Sequence, residues 1–372
     1  MTRNRKITRH GICALLGLLM LQASGTASAF TLIEIPDPSR SPGNTVTDTT
    51  TFKNQIEPLT GAIRSHIRNS QRKHRPGSTA QQGQILASNT YATTMSDADF
   101  IEVSSHSGGG DLSSLWLNST FTTYDNDFSR TRYDGDTHML LAGYDYTKSD
   151  KYIFGVAVSY ETSLIDTEFN LGSQKSDGYS INPYFAYLIS DSWSVDLGVG
   201  FGSFDTDQRR SIAGSGGVPI FLADSVESDF STDRNFVASN LTYSVPRGNW
   251  YLTGWLGLLY ATKDQEGYTE SDGTVVDSED LDKKQWSLGG EAAYGFGASE
   301  AYFGLIYEKD TDVNEVEFLI GEQPANDDDS ALVNIGWRYF GSELVASIEF
   351  SSRQGADDET ENSISSTLRL DL

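Results

Sequence analysis

Four histidines follow the N-terminal leader of this chain: His66, His74, His106 and His138. An imidazole acting as general base needs a carboxylate or amide behind it and a nucleophile in front, all within hydrogen-bond reach. No Ser/His/Asn signature accompanies any of them. His138 alone falls in a region of strand-like alternation, and it shares the parity of Leu140 and Tyr144, so it reads as structural. Asp327, Asp328 and Asp329 stand side by side, whereas a calcium loop alternates ligands with spacers, so they read as a solvated loop tip. Gly214 to Gly217 lack the strand-to-helix setting of a phosphate cradle. The single cysteine, Cys13, lies in the leader, which excludes disulfides, thiolate metal sites and a cysteine nucleophile from the rest. The residues assign no catalytic group, metal site or cofactor, and the chain is read as a non-enzyme.

The side chains with a physical task are ionic. Arg64, Arg68 and Arg72 recur every four residues in a basic stretch, and residues 113–372 hold 44 acids against 16 bases, a net charge of −28. Asp145, Glu161, Asp196 and Glu291 carry the parity of the polar strand face. Buried, such charges must pair and be hydrogen-bonded. The expectation is that these carboxylates line a pore and pair with the three arginines.

Two kinds of element must place them. Phe52, Ile56, Leu59, Ile63 and Ile67, spaced 4, 3, 4 and 4, form one apolar stripe, the period of an amphipathic helix. This helix is placed at residues 50–76, with its firm part beginning at Pro58, and is read as a pore plug. The remainder alternates with period two over twelve segments: 113–123, 136–147, 152–165, 178–189, 193–206, 233–245, 250–263, 284–297, 300–310, 330–340, 343–353 and 362–372. Tyr152, Phe154, Val156, Val158 and Tyr160 make an apolar face opposite Gly155, Ala157, Ser159 and Glu161. Short links follow even-numbered segments and long ones odd-numbered segments, Asp166 to Asp177 among the long. Tyr152, Trp193, Trp250 and Tyr339 sit beside short turns, as an aromatic girdle requires. A soluble sandwich also alternates, but needs neither the girdle nor a glycine-rich second face. The fold class read is all-β, a 12-stranded antiparallel transmembrane β-barrel with an N-terminal helix inside the lumen. Lipid exposure of half of each strand fits the mean hydropathy of −0.39.

Residues 1–29 read as a signal peptide, with Arg3, Arg5, Lys6 and Arg9 before an apolar core and Ala27-Ser28-Ala29 at the cleavage site. Its loss takes 4 of 27 bases and no acids, leaving 23 against 52 and a net charge of −29. Such a surface repels phosphates and excludes nucleic acid as a partner. Residues 30–49 read as a short linker, 77–112 as a polar linker and 113–372 as the barrel domain.

Ser176-Asp177-Gly178-Tyr179-Ser180-Ile181-Asn182-Pro183-Tyr184-Phe185-Ala186-Tyr187, followed through a tight turn by Trp193-Ser194-Val195-Asp196-Leu197-Gly198-Val199-Gly200-Phe201-Gly202, resembles the mid-barrel hairpin of the autotransporter β-domain family. Leu140-Leu141-Ala142-Gly143-Tyr144-Asp145-Tyr146 resembles its second strand. The resemblance implies a twelve-stranded barrel threaded by a helix in the outer membrane of a Gram-negative bacterium, serving as translocator or surface-display module. It makes residues 30–49 a vestigial passenger, with little or no cargo. It implies as partners outer-membrane lipid, the barrel assembly machinery and periplasmic chaperones, with the barrel a monomer. Leu368, Leu370 and Leu372 then form the C-terminal assembly signal, although the family's last residue is usually Phe or Trp. Self-cleaving members use an asparagine in the luminal helix; Asn54 and Asn69 are present, but not the paired asparagines of one cleaving subgroup, and Asn69 reads as a helix-end residue. The alternatives are a small cation-preferring diffusion channel and a loop-based adhesin or structural barrel.

Overall fold

The computed structural model describes residues 43–73, 112–128, 132–168, 170–211, 225–311, 328–341, 343–356 and 359–372, with helix side chains from Ile56 to Gln71. The stretches read as signal peptide and as polar linker up to residue 111, His74, His106, Gly214 to Gly217 and Asp327 lie outside these residues, as do the side chains of Phe52, Asn54 and Arg72.

Among the described residues one helix, α1 (Gly43–Lys73), precedes fourteen strands. These are β1 (Leu112–Asn126), β2 (Tyr133–Lys148), β3 (Tyr152–Thr167), β4 (Gly172–Leu188), β5 (Trp193–Ser211), β6 (Ser225–Arg247), β7 (Trp250–Gln265), β8 (Tyr268–Thr269), β9 (Val275–Val276), β10 (Glu279–Phe296), β11 (Ser299–Asp310), β12 (Asp329–Phe340), β13 (Leu344–Ala356) and β14 (Glu359–Asp371). All but β8 and β9 join one closed antiparallel barrel, in which β1 pairs with both β2 and β14. Closure leaves the sheet without a free edge, the condition for spanning a bilayer with strands.

Outward residues form the apolar belt. Tyr152, Trp193, Trp250 and Tyr339 all point out beside short turns, and the first three pair across strands with Tyr187, Tyr243 and Tyr294 at centroid distances of 5.0, 4.8 and 5.1 Å. A second outward row, Tyr160 with Tyr179 and Trp286 with Tyr307, lies further along the strands. Eight residues separate Tyr152 from Tyr160, about 26 Å of strand. At a tilt of about 40° this is a band roughly 20 Å tall, close to the hydrocarbon of an outer membrane.

Two expectations change. The connection read as Asp166 to Asp177 is only residues 168–171, because β3 and β4 continue in register to Thr167 and Gly172. Likewise β5 and β6 run 19 and 23 residues. Beyond the membrane the outward face meets water instead of lipid and need not be apolar, so the alternation disappears from the sequence while the hydrogen-bonded ladder persists. The helix starts at Gly43, within the stretch read as linker, passes through Pro58 and ends at Lys73. A proline inside a helix removes one hydrogen bond and bends the axis without always ending it.

Tight turns close the other end. Ser149 and Asp150 both take positive φ (52° and 55°), with Lys151 N–H donating to Lys148 O at 3.2 Å; this twist suits a two-residue hairpin.

Candidate functional site

Helix α1 lies in the lumen. Leu59 and Ile63 are 0% and 1% exposed, and with Ile56, Ala62 and Ile67 they form one buried cluster with Met139, Leu141, Ile153, Tyr184 and Phe236 of the wall. A Cβ on Gly198 would lie 3.5 Å from a Leu59 methyl. The apolar stripe therefore meets an apolar patch on the inner face of β2 to β6. Met139-Leu140-Leu141 hid that patch, since a run apolar on both faces shows no alternation. Burying four Leu/Ile side chains at about 1.5–3 kcal/mol each makes this contact the main term seating the helix.

The polar side of the helix faces the rest of the wall across a cavity of about 170 Å³, whose borders include Arg64, Arg68, Asn118, Thr120, Asn334 and Glu349. The four carboxylates expected to line the lumen point inward and are buried or nearly so. Three of them meet arginines of the wall, and the two helix arginines whose side chains are described, Arg64 and Arg68, do not behave alike. Asp145 accepts from Arg369 Nη1 at 2.9 and 2.8 Å and from the Tyr184 hydroxyl at 2.8 Å. Glu161 accepts from Arg234 at 2.9 Å. Glu291 takes both terminal nitrogens of Arg338, at 2.8 and 2.7 Å. Asp196 accepts from Asn240 Nδ2 at 2.8 Å. Arg68 meets the carboxylate of Glu300: Nε donates to Oε1 at 2.9 Å, Nη2 donates to Oε2, and the guanidinium lies 3.2 Å from the Tyr251 ring centroid. Arg64 stacks over Trp255 at 4.4 Å.

Glu300 is the joint between helix and wall, since Arg338 Nη1 also donates to it at 3.1 Å. The residues not singled out from sequence, Glu300, Glu308, Arg338, Arg353 and Arg369, carry most of the ion pairing. Strand parity was the available signal for Glu300 and Glu308, which alternate with outward Ala301, Phe303, Leu305 and Tyr307. Arg353 gathers Glu57 of the helix with Glu308 and Glu361 of the wall. Further contacts tie the helix end: Tyr251 O–H donates to Gln71 Oε1 at 2.8 Å, and His66 Nε2 bonds Thr147 Oγ1 at 2.9 Å.

Thr147, His66 and Asp145 form a hydroxyl–imidazole–carboxylate row, with His66 Nδ1 3.3 Å from Asp145. The row resembles a hydrolytic relay in order alone. Its members are 4%, 5% and 0% exposed, and Arg369 contacts both the imidazole and the carboxylate. It holds the helix against β2. His138 points outward and bonds Ser119 at 3.2 Å. Asp328 pairs with Lys309 at 2.5 Å. Asn69 is buried four residues before the helix end. Leu368, Leu370 and Leu372 point outward, while Arg369 between them is buried.

A family model described as the autotransporter beta-domain matches residues 115–339, well over half of the chain. The chain belongs to the autotransporter β-domain family. The autotransporter barrel is accordingly an outer-membrane translocator of the Gram-negative type. Among solved structures it is similar to the translocator domain of autotransporter NalP from Neisseria meningitidis (TM-score 0.58, 13% identity, 78% of this chain and 94% of that one). It is also similar to the beta domain of the Bordetella autotransporter BrkA (TM-score 0.56, 15% identity, 69% and 98%). At these identities the likeness concerns the fold. Among curated proteins it is 23% identical over 260 residues to the uncharacterized protein YaiT of Salmonella typhimurium, and 23% identical over 267 residues to the putative uncharacterized protein YaiT of Escherichia coli K12. The autotransporter chain covers 67% and 68% of itself in these matches but spans only about a quarter of the relatives' length, 25% and 26%.

The unequal roles of the helix arginines are testable. Arg68→Ala is expected to lower the midpoint of heat-modified gel mobility by several degrees, since breaking a buried pair costs about 3 kcal/mol or more. Arg64→Ala removes a stacking contact worth about 1 kcal/mol and is expected to move the midpoint far less.

Proposed function

We propose that the barrel carries the chain segment preceding α1 to the cell surface and then retains α1 as its plug. The direction of the helix supports this reading. Its last turns contact Thr147 and Tyr251, both beside short turns, whereas Glu57 reaches Arg353, nine residues beyond the turn-side start of β13. From Gln71 to Glu57 the helix rises about 21 Å, and Gly43 lies about 21 Å further on. With short turns on the periplasmic side, the start of the helix points to the exterior. The displayed cargo is whatever stands before the helix, residues 30–42 included.

An epitope inserted after Phe30 tests this. Antibody is expected to label intact cells as strongly as permeabilised ones. Labelling only after permeabilisation would overturn display. A cation-preferring conduit is the second reading, suggested by the polar cavity beside the helix, whose border carries Glu57, Glu291, Glu308 and Glu349 against Arg64, Arg68 and Arg338. A steady cation-selective conductance of the intact chain in planar bilayers would favour it over a plugged translocator.

A further inference from the structure

β1 and β14 are the barrel neighbours that no turn connects. They are its first and last strands, and their ladder runs from Ser114 with Asp371 to Asn126 with Glu359. Bringing them together closes the longest loop of the fold, the costliest in chain entropy. The inner face of β1 has no charge with which to hold this seam. Ser114, Trp116, Asn118, Thr120, Thr122 and Tyr124 point inward, while Asp125, the one charged residue of the strand, points outward. Directly across the seam the luminal bonds at mid-height are neutral: Asn118 Nδ2 donates to Ser365 Oγ and to Thr367 Oγ1, both at 2.9 Å, and Thr120 Oγ1 donates to Ser365 Oγ at 3.0 Å.

The charged contact steps over β1. Arg369 of β14 stands opposite Trp116, whose partner on the other side is Gly143 of β2. Arg369 Nη1 donates to both oxygens of Asp145 on β2, at 2.9 and 2.8 Å. Two strand spacings separate β14 from β2, about 9.5 Å, a gap that takes a side chain as long as arginine to cross. The Trp116 indole lies over Gly143, and its Nε1–H donates to the Tyr184 hydroxyl, which donates to Asp145. A second stitch crosses β1 at the external end, where Tyr133 O–H of β2 donates to Glu359 of β14 and Asn126 lies between them.

The turn-side stitch also meets the helix. Arg369 Nη1 contacts His66 Nδ1, and His66 Nε2 bonds Thr147 Oγ1 at 2.9 Å. The tautomer with its proton on Nε2 satisfies both contacts, donating to Thr147 and accepting from Arg369. We propose that Arg369 is a positioning residue for barrel closure: a latch that clamps β1 between β14 and β2, and that is set when His66 of the seated helix meets it. Leu368, Leu370 and Leu372 turn this last segment toward lipid, and the arginine among them locks it from inside. Removing Arg369 leaves the Asp145 carboxylate buried without its base and the seam without its charged tie. The inference does not depend on which segment is displayed.

The full chain carrying Cys13→Ser, Leu117→Cys and Leu368→Cys tests the latch. These two leucines are register partners across the seam and both face lipid, so oxidation ties β1 to β14 from outside. In the reduced protein Arg369→Leu is expected to lower the midpoint of heat-modified gel mobility by roughly 10 °C, and oxidation to recover most of that loss. Arg338→Leu breaks ion pairs with Glu291 and Glu300 away from the seam, and its loss is expected to persist after oxidation. Should Arg369→Leu fail to assemble, Arg369→Lys keeps the charge on a single nitrogen and is expected to show a smaller loss with the same recovery. His66→Ala is expected to lower the midpoint by itself and to add little in the Arg369→Leu background. An unchanged midpoint in Arg369→Leu, or equal recovery of the Arg369 and Arg338 variants, would overturn the latch. Additive losses from His66→Ala and Arg369→Leu would overturn its tie to the helix. Each result stands whatever the epitope at Phe30 reports.

Discussion

Leu59→Asp combined with Ile63→Asp is expected to unseat the helix and give the largest rise in conductance of any helix change. Each substitution forces a carboxylate into the cluster of Met139, Leu141, Ile153 and Tyr184, at sites now 0% and 1% exposed. Two buried aliphatic side chains are lost, about 3–6 kcal/mol together, and each buried carboxylate without a partner adds several more or drives the helix out. The ion pairs at Glu300 and Arg353 and the hydrogen bond at Thr147 are insufficient to offset this. Single-channel recording of the full chain in planar bilayers is the measurement. The double variant should show stable openings well above the wild type, with barrel heat-modifiability retained because no wall residue has changed. Wild-type conductance would mean that the ion pairs, not the apolar stripe, seat the helix. Charge reversal at Arg64 and Arg68 should have a smaller effect, carried mostly by Arg68.

The second large effect is expected at Gly155 or Gly143. A Cβ on Gly155 would come within 2.1 Å of the Tyr184 ring, and one on Gly143 within 2.2 Å of the Trp116 indole. The pairs are direct cross-strand neighbours, Gly155 with Tyr184 and Trp116 with Gly143, so each ring lies flat over a glycine. The same arrangement joins Gly289 with Trp255, Gly178 with Phe204 and Gly200 with Phe236. In these five pairs the ring fits against the inner wall because the facing residue lacks a side chain. Trp116 Nε1–H donates to Tyr184 at 2.8 Å and Tyr184 O–H donates to Asp145, which holds Arg369 and His66. Gly155→Ala therefore displaces a ring and breaks the relay that anchors the helix end. Overpacking of about 1–3 kcal/mol and a lost buried hydrogen bond of about 1 kcal/mol or more act together. The unfolding midpoint of Gly155→Ala, followed by gel mobility after stepwise heating, is expected to fall by several degrees. Gly290→Ala is the control: the nearest atom to its Cβ would be 3.9 Å away. Equal midpoints for the two variants would refute the packing argument.

Much of the architecture was legible in the linear chain because the bilayer imposes a period. Lipid demands apolar side chains at every second position between the girdles, so Tyr152 to Tyr160 and Leu368 to Leu372 announce both strand and orientation. The stripe from Ile56 to Ile67 announced a helix with one face to bury. Beyond the membrane that demand ends, which is why the continuations of β3, β4, β5 and β6 could not be read from alternation.

Sequence by itself determined the twelve-strand count, the outward face, the helix and the inward direction of Asp145, Glu161, Asp196 and Glu291. Only the tertiary structure decided who pairs with whom. Parity states which way a side chain points from its own strand; it says nothing of its height along the barrel axis, and an ion pair needs matching height as well as direction. Register and strand tilt set the heights. They place Arg369, at the chain end, beside Asp145 of β2, Glu300 rather than Glu291 against Arg68, and Glu270 of a loop on Arg210 at the mouth.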